Sequence, residues 1–461
     1  MPTTINPATG ETIASYPWHD PAHTEAQVAR ATGAQATWRR LPLAARAERL
    51  LALAATLRAG REEAAALTTA EMGKPLAQSL AEIDKCAELC TFYAEHGPAM
   101  LADERVSGTG GESYVAHRSL GVILAIMPWN FPWWQALRFA VPALLAGNTV
   151  LLKHAPNTTG VALAIAEQVR AAGFPPGCLE TLVIDHAHTG TLIADPRVAG
   201  VTLTGSTRAG KIVAALAGRH LKKTVLELGG SDPYLILPDA DIAEAAKICA
   251  AARLHNSGQT CVAAKRFIVC EPVADAFSEA FIAHMRAARI GDPRDPETTV
   301  GPLARADLRD ALHTQVERSV AAGARLVLGG QRPGDGEPGG NRGFFYPATV
   351  LDQVRPGNPA AREELFGPVA AIMCVPTVDA AVALANDTDY GLGAAVFSRD
   401  RARAEAIARD ELHAGACFVN ASVRSDPRLP FGGVKDSGYG RELGRLGLLE
   451  WVNSKTVWIA N

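Results

Sequence analysis

The chain has 461 residues, 48% of them hydrophobic and 20% charged, with a formal net charge of -3. That length exceeds one ordinary core and suggests about two to three domains, and the near-balanced, interspersed charges give no reason to expect nucleic acid or an anionic membrane as partner. The eight cysteines are scattered, with no CxxC pair and no Cys/His grouping at zinc spacing, so a reduced, cytoplasmic setting is expected, with no disulfide framework and no bound metal.

The first residues lack the basic start and apolar run of a signal peptide. Residues 6–11 (NPATGE) mark a tight turn between two short strand-like runs. Apolar residues at helical spacing then predict helices over 24–38, 43–70 and 75–100, packing on a sheet. Residues 119–137 carry no charge, but Pro128, Asn130, Pro132 and Gln135 in their midst read as strand, turn and buried helix rather than as a membrane span.

From about 121 short apolar runs (121–126, 149–152, 181–184, 198–203, 224–228) alternate with helices at 134–145, 158–172, 188–194 and 208–219. This predicts an α/β, mostly parallel, doubly wound sheet, whose ligands bind beyond the carboxyl ends of its strands. A second alternating block runs through 266–269, 273–288, 346–351, 369–375 and 394–397. The glycine-rich stretch 329–342 reads as a solvated loop, and 449–459 as a terminal strand whose edge needs covering.

The turns after the first set of strands hold the candidate chemistry. Asn130, between two prolines, has an amide that can donate to an oxyanion or simply tie its loop to neighbours. Lys153 closes a strand and can reach a ligand hydroxyl or phosphate, although a solvated lysine is commoner. Gly205 and Ser206 form a strand-to-helix turn that suits phosphate and equally suits an ordinary helix cap. Glu227 interrupts an apolar run; desolvation there raises its proton affinity, as a general base working near neutrality requires, and a structural ion pair is the bland alternative. Cys261, in the turn HNSGQTC at 255–261, is a nucleophile candidate, or one more inert thiol.

Taken together, PWNFP at 128–132, TGST at 204–207, ELGG at 227–230, GQTC at 258–261, EELFGP at 363–368 and PFGGVKDSGYGRE at 430–442 resemble the aldehyde dehydrogenase superfamily, in its order and along the whole chain. Within it, KHAPN at 153–157 and SDPRLPFGG at 425–433 are most similar to the bacterial succinate-semialdehyde branch. The resemblance implies Cys261 as nucleophile, Asn130 as oxyanion donor and Glu227 as the base that activates water. It also implies NAD as cofactor, with Lys153 and Glu364 on its riboses, Gly205 and Ser206 at the pyrophosphate, and Trp129 and Phe366 walling its channel. It divides the chain into a Rossmann-like cofactor domain (1–97 and 119–230), a second α/β catalytic domain (231–440) and a small β oligomerisation arm (98–118 and 441–461) that makes a homodimer or homotetramer.

Three positions depart from the family pattern. Pro156 stands where many NAD-specific members carry a glutamate, which admits NADP. The turn at 184–190 lacks the usual glycine-rich string. Arg138 matches an arginine that holds a substrate carboxylate, but the second such arginine is replaced by His255, leaving Ser425, Arg424 and Arg428 as possible substitutes. The expected reaction is oxidation of an aldehyde, succinate semialdehyde first and other short aldehydes next. A cofactor-independent cysteine hydrolase or acyltransferase is the rival of another class.

Overall fold

The structure, a computed structural model, describes residues 1–334, 340 and 342–460; part of the glycine-rich loop 329–342 therefore lies outside the described residues. The opening turn forms as expected. Strands Thr3–Ile5 and Thr12–Ser15 pair antiparallel, and the Gly10 N–H donates to the Asn6 carbonyl from a left-handed φ of 75° that favours glycine.

The expected helix over 43–70 is two, Leu43–Ala59 and Arg61–Met72. Gly60 breaks it: its φ/ψ of -91°/14° leave the helical region, and Glu62 and Glu63 then favour a fresh N-terminus through the helix dipole. Helix Leu76–Met100 buries a stripe through Glu82, Cys86, Leu89, Cys90 and Tyr93, the 3.6-residue period that packs a helix on a core.

The first sheet has six strands in the order Gly438–Tyr439, Lys223–Glu227, Val198–Thr204, Val122–Met127, Thr149–His154, Leu179–Thr181. All neighbours are parallel except Gly438–Tyr439. The third run therefore starts earlier than its apolar stretch at 181–184 suggests: Leu182 follows the strand, its N–H bonded to the Leu152 carbonyl. Chain order reverses between Val122–Met127 and Val198–Thr204, so the crevice for a ligand opens where Trp129, Asn130, Gly205 and Ser206 follow those two strands. Helix Pro132–Leu145 buries all 14 of its residues, which explains why that segment carries so little charge.

The second sheet runs Arg325–Leu328, Thr349–Asp352, Val369–Val375, Ala264–Cys270, Asp232–Ile236, Gly393–Phe397, Ala416–Val419, parallel apart from its first pair. Strand Ala264–Cys270, at its centre, is buried throughout, and Cys261 sits three residues before it. A third, antiparallel sheet joins Val452–Ile459, Glu112–Ser119 and Glu104–Val106. The terminal strand starts at Val452 because Gly444–Leu449 is helical. Among the described residues, no helix is long and apolar enough to cross a membrane.

Candidate active site

The nucleophile turn is built on left-handed backbone. Asn256, Ser257 and Gly258 have φ of 54°, 54° and 75°, and two of the three bear side chains that disfavour this region, so the surroundings must hold the turn. They do so densely. Arg253 Nη2 donates to the Gly258 carbonyl at 2.5 Å, the Ala304 N–H donates to Gln259 Oε1 at 2.9 Å, and a Cβ on Gly258 would lie 2.2 Å from the Gly367 carbonyl oxygen. Lys265, fully buried, donates to the carbonyls of Thr260, Cys261 and Ala263 at 3.2, 2.7 and 3.2 Å.

Asn130 reaches this turn. Its Nδ2 donates to the Gln259 carbonyl at 2.9 Å, and Asn256 Nδ2 donates to the Asn130 carbonyl at 2.8 Å. An amide nitrogen carries two N–H groups, so one remains after the bond to Gln259. The turn bearing Asn130 is itself pinned: the N–H groups of Trp133 and Trp134 both donate to Glu82 Oε1 at 2.9 Å, and Lys74 pairs with the other oxygen. His154 Nδ1 accepts from the Ala155 N–H, which leaves Nε2–H to donate to the Pro132 carbonyl at 3.1 Å.

Cys261 lies between two cavities. The first, 240 Å³, is lined by Trp129, Asn130, Gly205, Ser206, Glu364 and Phe366, among others. The second, 200 Å³, is lined by Lys85, Arg138, His255, Ser425, Phe431 and neighbours. Burial pushes the Cys261 thiol up to about 12; Arg138 and Lys265 pull against it, while Glu227 and Glu364 add to it. Glu227 is also buried, with neither carboxylate oxygen hydrogen-bonded. Desolvation pushes its carboxyl well above the usual range; Arg138, with Nη2 at 4.0 Å, draws it back, and Glu442 raises it further. Arg138 pairs in turn with Glu442. This is a charge contact rather than an aligned hydrogen bond, since the Arg138 Nε and the Glu442 oxygens lack a well-directed partner.

The first cavity is lined by aromatic rings, a strand-to-helix turn and a carboxylate. Trp129 and Phe366 meet edge to face, centroids 5.7 Å apart, and both line the cavity. Gly229 keeps the floor low, since a Cβ there would stand 2.4 Å from Glu364 Oε2. Glu364 Oε1 accepts the Gly230 N–H at 3.0 Å and lies 3.8 Å from Lys265, so that carboxylate is already fixed in place. The Ser206 hydroxyl caps helix Thr207–Arg219 by accepting from the Ala209 N–H, leaving the other first-turn N–H groups for a phosphate. Lys153 is buried at its strand end; desolvation lowers its affinity for its proton, and Asp185 partly restores it.

In the second cavity His255 stacks on Phe131, centroids 5.7 Å apart. Crowding of its ring, then the Lys74 and Lys85 charges, push its imidazole down. The residue is open to solvent overall, so the two nearby cations are the sounder cause of a neutral ring. Arg428 is held by Asp426 and, unlike Arg424, is not part of the wall.

Charged side chains of this site that the sequence does not single out include Lys74, Glu82, Lys85, Arg253, Lys265 and Glu442. Glu82 had a signal, a carboxylate on the apolar stripe of its helix. Glu442 stands within a recognised string without a role attached to it. Among the described residues no cluster of His, Cys, Asp and Glu could hold a metal.

Residues 2–457 match the aldehyde dehydrogenase family. The chain is 49% identical over 454 residues to a succinate semialdehyde dehydrogenase [NAD(P)+] of Escherichia coli (strain K12), covering 98% of this chain and 97% of the relative. It is 48% identical to a probable succinate-semialdehyde dehydrogenase [NADP(+)] of Synechocystis sp., covering 99% of each. The crystal structure of a Streptococcus pyogenes succinic semialdehyde dehydrogenase in complex with NADP+ superposes with a TM-score of 0.97 at 37% identity, covering 100% of both chains. With a matching family over nearly its whole length, a shared fold and two cavities that meet at one cysteine, the chain belongs to the aldehyde dehydrogenase family.

Proposed function

We propose that the protein oxidises succinate semialdehyde to succinate with NAD(P)+. The observation that carries this reading is the position of Cys261 at the junction of a cavity with an aromatic wall and a strand-to-helix turn and a cavity lined by cations. The relatives' substrates and cofactors agree with it.

The Cys261 sulfur, its proton passed to a base, attacks the aldehyde carbon and forms a C–S bond. The oxyanion so created accepts from the free N–H of Asn130 and from the Cys261 backbone N–H. Lys153, Gly205, Ser206 and Glu364, with Trp129 and Phe366 beside them, would hold the dinucleotide, whose nicotinamide would supply the hydride acceptor. When hydride leaves the tetrahedral carbon, the carbonyl re-forms as a thioester on Cys261. Glu227, whose burial raises its proton affinity, then takes a proton from water. The water oxygen attacks the thioester carbon, the C–S bond breaks, and the acid so formed passes its remaining proton to the Cys261 thiolate as the carboxylate product leaves.

Arg138, His255 and Ser425 would wall the substrate side. The absence of a carboxylate at Pro156 favours use of NADP beside NAD. Residues 1–97 and 119–230 would form the cofactor domain, 231–440 the catalytic domain, and 98–118 with 441–461 the oligomerisation arm. Strand Val452–Ile459 is bonded on one edge only and leaves Trp458 and Ile459 exposed, so a second copy would cover it in a cytoplasmic homodimer or homotetramer.

The test is a panel of succinate semialdehyde, glutarate semialdehyde and butanal assayed with NAD+ and with NADP+. NAD(P)H formation with the highest kcat/KM on succinate semialdehyde is expected. Thioester cleavage without reduction of either cofactor would instead favour the hydrolase reading.

A further inference from the structure

The second cavity contains a cation that nothing so far assigns. We propose that Lys85, acting with Ser425, is the receptor for the substrate's distal carboxylate and fills the role left open by His255. The proposal rests on the reading of the substrate as an aldehyde with a carboxylate at its far end.

Lys85 lines the same cavity as Cys261. Its Nζ donates to Ser425 Oγ at 2.8 Å and stands 4.1 Å over the Trp134 ring, so both a hydrogen bond and a cation–π contact fix its position. An ammonium has three N–H groups. One goes to Ser425, and the remaining two, with the Ser425 hydroxyl proton, are enough donors for both oxygens of a carboxylate.

Charge pairing singles out the same residue. Arg138 is countered by Glu442 and faces Glu227, and Lys74 is paired with Glu82. The carboxylates nearest Lys85, Glu82 and Asp426, are already engaged by Lys74 and Arg428. Among the described residues of the cavity wall, Lys85 and Arg424 are the cations with no ion-pair partner, and Arg424 is exposed at the rim. A substrate carboxylate drawn into the cavity therefore meets, in Lys85, an uncompensated charge that is itself partly buried. Burial, and then Arg138, bring the ammonium down to about 8, which leaves it charged at neutral pH.

The experiment compares the full-length wild type, Lys85→Met, Lys85→Arg and Ser425→Ala on succinate semialdehyde, glutarate semialdehyde and butanal, with thermal unfolding as the check on folding. A lost charge-assisted contact corresponds to roughly ten- to hundredfold. Lys85→Met is expected to raise KM for both semialdehydes by about that factor while kcat and the butanal parameters stay within about twofold. Lys85→Arg should recover most of the loss, and Ser425→Ala should raise the same KM values less. Equal losses on butanal and the semialdehydes, or unchanged KM values, overturn the proposal. If Lys85→Met does not fold, Ser425→Ala and Lys85→Arg decide: unchanged semialdehyde KM in both overturns it. A wild type that prefers glutarate semialdehyde removes the assigned substrate but not Lys85, whose replacement should still raise that KM. A wild type with no preference for either acid removes both.

Discussion

Arg138 Nη2 stands 4.0 Å from Glu227 Oε2, both side chains buried. The arginine is thus placed to tune the general base as well as to wall the substrate cavity. It lowers the proton affinity of Glu227 against the desolvation that raises it. Arg138→Met should therefore raise that affinity, moving the onset of steady turnover to higher pH with butanal as substrate, where no substrate carboxylate is involved. It also leaves Glu442 buried without its partner, at a cost of about 3–5 kcal/mol in unfolding free energy. An onset at the wild-type pH would separate Arg138 from the base.

Burial outweighs the two cations around Cys261 and favours its thiol over its thiolate in the resting protein. The population of thiolate then rises about tenfold per pH unit up to the thiol's own value, near 12. Alkylation of the Cys261 peptide by iodoacetamide, followed by mass spectrometry, should accelerate continuously from neutral pH to the highest pH the fold tolerates. A plateau near pH 7 would mean an already ionised thiol. Cys261→Ala should abolish aldehyde oxidation and retain cofactor binding measured by fluorescence.

Glu227→Gln removes the proton acceptor but keeps the shape of the side chain. Thioester formation should continue and hydrolysis should slow by about two to four orders of magnitude. Rapid mixing would then record a burst of NAD(P)H approaching one equivalent per site, followed by a slow steady rate. An unchanged steady rate would assign deacylation to another group.

Residues that act beside their own chain neighbours were readable in the sequence, and residues that act across the fold were not. Cys261 and Asn130 each sit in a turn whose glycines or prolines mark it, Glu227 ends an apolar strand just before two glycines, and the three-dimensional structure brings the turns carrying Cys261 and Asn130 into direct hydrogen bonding. Lys85 lies mid-helix, and its partner Ser425 is 340 positions away; no local pattern distinguishes it from a solvated lysine. The Arg138–Glu442 pair likewise joins segments far apart in the chain. Alternation of strands and helices indicated both sheets but not strands Asp232–Ile236, Arg325–Leu328 and Ala416–Val419 of the second, and element ends shifted where one residue decides, as Gly60 does by breaking a helix whose apolar period continues on either side.

Glu71 offers a test of stability away from the catalytic centre. Its two oxygens accept the N–H groups of Gly160 and Val161, each at 3.0 Å, at the start of helix Thr159–Ala171. Those donors favour the ionised form, but burial is the larger effect and the carboxyl rises from 4.5 to about 7. The folded value lies above the unfolded one, so the fold prefers the neutral group. Its favourable contribution is fully present below pH 4.5 and is lost as pH rises toward about 7. A shift of that size corresponds to at most about 3 kcal/mol. Glu71→Gln cannot ionise; it forfeits one backbone hydrogen bond at every pH, about 1 kcal/mol, but not the pH-dependent part. Urea unfolding of both proteins between pH 4.5 and 7.5 should show the wild type losing stability relative to the variant as pH rises, then running parallel to it above about pH 7. Parallel curves throughout would mean that Glu71 ionises normally in the folded protein and that its backbone donors, not its burial, govern it.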